Sequence, residues 1–248
     1  MKKIVVSLKN SERRENFDKL FSELGHQYFD AIVPQDNDPR FDQFIAQSLY
    51  GRELRRGEVG CTLSHFEIIK NFSQSVDDSR WLLIMEDDAL PEPQFQQFID
   101  DFSKECCQLS ENPLVILLGH SKTSKKHLFV QGLKQPLANR ITFSGHIFGQ
   151  NKHVTRCGTI CYLINKTAAT TLSKPLNPYW LADEWALYSN LGVVVYHPIK
   201  PLVYEDLSYA SATQNEVKYQ HDFISRPLAN IVHILIGRYH YYREMRKN

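Results

Sequence analysis

Residues 81–85 read Trp-Leu-Leu-Ile-Met, and they run without a turn residue into Glu86, Asp87 and Asp88. This is the clearest buried strand in the chain, and three carboxylates stand at its exit. Carboxylates repel one another and strands usually end in turn residues, so the juxtaposition needs a reason. The opening of the chain supplies the frame. Ile4-Val5-Val6-Ser7-Leu8 is β-branched and reads as a first strand. Phe17, Leu20, Phe21 and Leu24 then recur at helical spacing, and Gly25 stops that helix. Tyr28 to Val33 reads as a second strand closed by Pro34. Such a strand–helix–strand start favours a parallel sheet covered by helices.

Further along, residues 36–56 are polar and read as a loop with one short helix. Glu58 to Phe72 carries Val59, Leu63, Phe66 and Ile69 at helical spacing. Phe95 to Phe102 is an amphipathic helix and Leu114 to Leu118 a buried strand. Residues 119–156 show little periodicity and read as a long loop or an excursion of short strands. Thr159 to Ile164 returns to strand, Lys166 to Leu172 and Ala182 to Leu191 to helix, and Val193 to Tyr196 to strand.

At 248 residues the chain suits one good-sized α/β domain. A formal net charge of +1 gives no bulk attraction to nucleic acid, so none is expected as a partner. The five cysteines (Cys61, Cys106, Cys107, Cys157, Cys161) form no CxxC pair, which argues against a disulfide framework or a zinc ribbon. Free thiols in a reducing compartment are expected instead. Only three consecutive apolar residues follow Lys2-Lys3, too few for a secretory leader, and no apolar run approaches a membrane span. The expected location is the cytoplasm, with the sequons at Asn71 and Asn165 unused.

Side chains alternate along an extended chain, which puts Glu86 and Asp88 on one side and Asp87 on the other. Two hard oxygen donors at a strand's carboxyl end suit Mg²⁺ or Mn²⁺ shared with a diphosphate. Open α/β sheets also place ligands at that end. A solvated acidic turn capping the next helix is the plainer reading. Ser11, Arg13 and Arg14 follow the first strand, where a guanidinium can grip phosphate. Gly57 and Gly60, near a helix start, would let a ligand approach the backbone.

With these pieces assembled, the chain resembles glycosyltransferase family 25, the lipooligosaccharide-biosynthesis type. The resemblance rests on Val5-Val6-Ser7-Leu8 with Arg13-Arg14, then Gly57-Glu58-Val59-Gly60-Cys61-Thr62-Leu63-Ser64-His65, then the strand ending in Glu86-Asp87-Asp88. It continues more loosely through Gly158 to Asn165, Ala182-Asp183 and Val195 to Pro198, and fades after about residue 225. It implies a GT-A type fold, a Rossmann-like, mostly parallel sheet flanked by helices. It also implies a UDP-sugar donor, often UDP-galactose, an inverting mechanism and a lipooligosaccharide or lipopolysaccharide acceptor. By the motif, Glu86 and Asp88 form the site for Mn²⁺ or Mg²⁺, Asp88 binding it directly and Glu86 helping through water or the ribose, and Ser7, Leu8, Arg13, Glu58, His65 and Asp87 line the donor site.

An inverting transfer needs a general base near the acceptor hydroxyl. Asp183 is the candidate, with Glu184 as fallback. Tyr179, Trp180 and Trp185 around it are read either as sugar-stacking platforms or as core. His197 and His221 are candidates for a further metal ligand, while His120, His146 and His153 have no assigned role. From Leu228, apolar residues at 228, 231, 232, 235, 239 and 242 make one helix face. Arg226, Arg238, Arg243, Arg246 and Lys247 stand against the single acid Glu244. The chain therefore divides into a catalytic domain, 1–225, and a basic amphipathic helix, 226–248. That helix either docks on the domain or makes peripheral contact with the anionic inner membrane. Competing functions are a non-catalytic glycan or nucleotide-sugar binding domain, a transferase using UDP-glucose or UDP-N-acetylglucosamine, and a nucleotidyltransferase. The last lacks the expected glycine-rich loop, because Ser7-Leu8-Lys9-Asn10 stands there.

Overall fold

A computed structural model of the chain describes residues 1–106, 109, 111–121, 125, 128–151, 158–208 and 227–245. In chain order the elements are β1 (Lys2–Ser7), α1 (Arg13–Leu20), β2 (Gln27–Asp30), α2 (Gln43–Tyr50) and α3 (Arg56–Gln74). Next come β3 (Trp81–Glu86), β4 (Ala89–Pro91), α4 (Phe95–Glu105), β5 (Leu114–Leu117), β6 (Gly119–His120) and α5 (Leu128–Lys134). The chain continues with β7 (Ala138–Phe143), β8 (His146–Gln150), β9 (Cys161–Asn165), α6 (Lys166–Leu172) and α7 (Trp185–Asn190). It closes with β10 (Val194–Pro198), β11 (Val203–Glu205) and α8 (Pro227–Met245).

Among the described residues, eight strands form one sheet in the order β2-β1-β3-β9-β5-β10-β8-β7, and β4-β11-β6 form a smaller one. The α/β class with helices flanking a large sheet is the one expected of a GT-A type fold. The strand–helix–strand opening is parallel, β1 lying between β2 and β3. The sheet as a whole is mixed rather than mostly parallel. β9 runs antiparallel between β3 and β5, and β8 runs antiparallel to both β10 and β7. Periodicity shows which residues are buried, but not the direction in which a strand runs. The region 119–156 resolves in its described parts into β6, α5 and the β7–β8 hairpin, the second of the two expectations for it.

The alternation of β3 explains the two core layers. Val5, Leu83 and Met85 pack with Phe17, Phe95, Phe98 and Phe102 under α1 and α4. Val6, Leu82 and Ile84 pack with Phe66, Ile69, Phe72 and Trp180 under α3 and α6. β1, β3, β5 and β10 share one direction, so Ser7, Glu86, Leu118 and His197 all come out at one edge of the sheet. The turn into β9 returns to that same edge, since Glu86 N–H donates to Ile160 O at 3.0 Å.

Candidate active site

The carboxyl edge of β1 and β3 gathers a cluster of acidic side chains. Glu86 keeps the parity of Leu82 and Ile84 and leans toward α3, where its Oε1 stands 3.4 Å from His65 Nε2. The Thr159 hydroxyl donates to the same Oε1. Asp87 turns the other way, as alternation requires. Its carboxylate accepts from Ser7 Oγ at 2.7 Å, Ser11 Oγ at 3.1 Å and Arg13 Nη1 at 3.4 Å. Arg14 braces this corner, donating from Nε to Ser7 Oγ at 3.1 Å and from Nη2 to the Ser7 carbonyl at 3.2 Å.

Asp88 departs from the simple alternation. β3 ends at Glu86, and the turn that follows swings Asp88 to the same Arg13 guanidinium, Nη1 to Oδ2 at 3.1 Å. Its Oδ1 is buried without a hydrogen-bond partner. Burial pushes the Asp88 pKa up to about 8, with Glu86, Glu205 and Asp87 adding to the push and Arg13 opposing it. A buried carboxyl crowded by like charges, with one oxygen unsatisfied, has room for a proton or for a cation beside that of Arg13. The residues present therefore fit Mn²⁺ or Mg²⁺, with Glu86 and Asp88 as oxygen ligands.

Asp183 joins the same network from the far side. Its carboxylate does not cap α7 and instead accepts from Gly158 N–H at 3.0 Å. Gly158 sits at φ +106°, and its neighbour Thr159 is the residue that holds Glu86. Trp185 Nε1 donates to the Gly158 carbonyl at 3.2 Å, which fixes this junction. Burial and the adjacent Asp183 push the Glu184 pKa up.

The other expected site residues take several different positions. Glu58 has both oxygens engaged by Arg52 at 2.8 Å, and Oε2 also accepts from Arg55 N–H at 2.8 Å; its carboxylate caps the start of α3. Leu8 is exposed just beyond β1. His65 is buried, with Nδ1 2.9 Å from the Tyr162 hydroxyl. Gly60 opens no path to a ligand. A Cβ there would lie 2.7 Å from Ile32 O, so its small size serves helix packing. Trp180 and Trp185 are core, 2% and 0% exposed, which removes them as stacking platforms. His197 is buried and stacks on His120 at 6.1 Å between ring centroids. His153, His221, Cys107, Cys157, Arg226, Arg246 and Lys247 lie outside the described residues.

Sequence reasoning missed Thr159, Gly158 and Glu205. Glu205 ends β11, and Asp206 N–H donates to the Asp88 carbonyl at 2.7 Å. The run Leu202-Val203-Tyr204-Glu205-Asp206 repeats, in shorter form, the apolar-then-acidic signature of residues 81–88.

Among solved structures, the protein A197 from STIV is 15% identical with a TM-score of 0.41, covering 89% of this chain and 100% of its own. The galactosyltransferase LgtC, in complex with donor and acceptor sugar analogs, is 14% identical with a TM-score of 0.29, covering 68% of this chain and 59% of its own. The inositol-1-phosphate CTP transferase from T. maritima is 15% identical with a TM-score of 0.35, covering 94% of this chain and 95% of its own. Likenesses this distant say nothing about activity. No curated protein matches the chain. The profile of glycosyltransferase family 25 (LPS biosynthesis protein) matches residues 1–185, and so takes in β1, Arg13, the Gly57–His65 segment, Glu86-Asp87-Asp88 and Asp183. The chain belongs to glycosyltransferase family 25.

Proposed function

We propose that this glycosyltransferase moves a hexose, with galactose the first candidate, from a UDP-sugar to a lipooligosaccharide or lipopolysaccharide acceptor, with inversion. The observation that carries the reading is the buried, partnerless Oδ1 of Asp88 amid the carboxylates of Glu86, Asp87 and Glu205. Bound there, a divalent cation would offset the charge that builds on the diphosphate leaving group. Arg13 supplies a second positive charge at the same edge, poised between Asp87 and Asp88. Ser7 and Ser11 hold Asp87 and so set the shape of the donor side. Asp183 takes the proton from the acceptor hydroxyl as its oxygen bonds to the anomeric carbon and the bond to diphosphate breaks.

The acceptor also bears on location. No helix among the described residues is long and apolar enough to cross a membrane. α8 nevertheless leaves Ile231, Val232, Leu235, Tyr239 and Tyr242 exposed. Arg238 and Arg243 flank that stripe at 100° per residue. This charge pattern fits peripheral contact with an anionic leaflet.

The test is transfer from UDP-galactose to a lipooligosaccharide fragment, with Mn²⁺ and with chelator. Asp88→Asn is expected to fold and to lose on the order of 10²-fold in turnover. Near wild-type turnover at saturating Mn²⁺ would remove the metal from this carboxylate. Donor binding with neither transfer nor hydrolysis in the wild type would make the chain a binding domain.

A further inference from the structure

Beside the carboxylate cluster lies a group of different chemistry. Cys61 and His65 stand one turn apart on α3 and face Glu86 at the end of β3. One sulfur, one nitrogen and one oxygen of these residues lie within 4.8 Å of one another. Cys61 Sγ is 3.9 Å from Thr159 Oγ1, and Thr159 donates to Glu86 Oε1, so a single hydroxyl ties two of the three together. His65 is 1% exposed and its Nε2 makes no hydrogen bond, although Glu86 Oε1 is 3.4 Å away.

We infer that Cys61 Sγ, His65 Nε2 and Glu86 Oε1 form a second cation site, one for a borderline ion of the Zn²⁺ kind. A thiolate and an imidazole disfavour Mg²⁺ and Ca²⁺, whereas one sulfur, one nitrogen and one oxygen suit Zn²⁺ or Co²⁺. Around a tetrahedral Zn²⁺ such atoms stand roughly 3.3–3.6 Å apart, so closure asks for a contraction of about 1.5 Å at most. Three protein ligands leave a fourth position open, the arrangement of a site that exchanges water or substrate.

The surroundings support a cation there. His65 Nδ1 is engaged 2.9 Å from the Tyr162 hydroxyl, and in the tautomer that carries its proton on Nδ1 the ring turns the Nε2 lone pair to the group. The site shares Glu86 with the proposed Mn²⁺ or Mg²⁺ site, so filling it draws that carboxylate away from Asp88. The enzyme then becomes sensitive to zinc.

The experiment is a titration of the full chain with Co²⁺, a spectroscopic stand-in for Zn²⁺. One equivalent should bring up a thiolate-to-cobalt charge-transfer band in the near ultraviolet, and Zn²⁺ should displace it. The band should vanish in Cys61→Ser and persist in Asp88→Asn, which touches only the hard-donor site. Absence of the band in the wild type overturns the inference. So does its survival in Cys61→Ser, which would assign the thiolate to another cysteine. Should that variant fail to fold, iodoacetamide labelling of the wild type decides. Zn²⁺ should shield Cys61 in peptide maps, and equal labelling with and without Zn²⁺ sinks the idea. No readout uses sugar transfer, so failure here leaves the transferase reading standing, and the reverse also holds.

Discussion

The Asp183 carboxylate accepts from Gly158 N–H, and an asparagine oxygen can accept the same bond. Asp183→Asn should therefore keep the junction in place while removing the proton acceptor. A base acts in the transition state, so kcat should fall about 10²- to 10⁴-fold with donor affinity unchanged by calorimetry. Normal transfer by this variant would hand the role to Glu184. Asp88 gives a pH test. Its native pKa lies well above the unfolded value, so between the ordinary carboxylate range and about pH 8 the folded state holds a proton that the unfolded chain has released. Stability without metal thus falls as pH rises through that window. A cation replaces the proton, so the gain in Tm from Mn²⁺ should grow from about pH 6 to about pH 8. A gain independent of pH would mean that Mn²⁺ binds away from Asp88. Much of this site was legible because an apolar strand running into acids is a local pattern. Thr159 and Gly158 were not legible, because they matter through contact with residues far away in sequence.

Helix α3 shows how one segment serves several masters. Glu58 ties down its first turn, Cys61 and His65 face the site, and Gly60 and Ser64 press on the chain leaving β2. Ser64 Oγ donates to Gly60 O at 2.7 Å and accepts from Ile32 N–H at 2.8 Å, locking that contact. Gly60→Ala would put a methyl 2.7 Å from Ile32 O and 3.0 Å from Pro34 Cδ. Backbone on one side and a proline ring on the other leave little room to yield, so a loss of about 1–3 kcal/mol is expected in urea unfolding. An unchanged midpoint would mean that α3 is free to shift outward. Periodicity placed α3 correctly, since Val59, Leu63, Phe66 and Ile69 all point inward. It misjudged the glycines, because a small residue that admits a ligand and one that admits a neighbouring strand look identical in sequence. The antiparallel course of β9 was hidden for a related reason. Cys161-Tyr162-Leu163-Ile164 is buried throughout, and such a run reads the same in either direction.

At the scale of the whole molecule, α8 is attached by its small side and open on its large one. Gly237 is buried against its neighbours, and a Cβ there would lie 1.9 Å from Lys134 O and 3.3 Å from Pro136 Cδ. At 100° per residue, Gly237 falls opposite the stripe of Ile231, Val232, Leu235, Tyr239 and Tyr242. The helix packs on α5 and β7, while its apolar face looks outward. Ile231, Val232 and Leu235 are 48%, 52% and 64% exposed, so removing them takes nothing from the core. An exposed apolar stripe flanked by arginines gains by entering a lipid headgroup layer, and each Lys or Arg near anionic lipid adds about 1 kcal/mol. Full-length protein is therefore expected to sediment with phosphatidylglycerol-containing vesicles and to release as salt rises. Removing residues 226–248 should abolish sedimentation, leave the thermal midpoint of the remainder nearly unchanged, and spare transfer to a soluble acceptor fragment. Equal sedimentation of both forms would free the tail of this role. A concentration-dependent dimer that dissolves on truncation, with no vesicle binding by the full chain, would assign the stripe to a second copy of the protein.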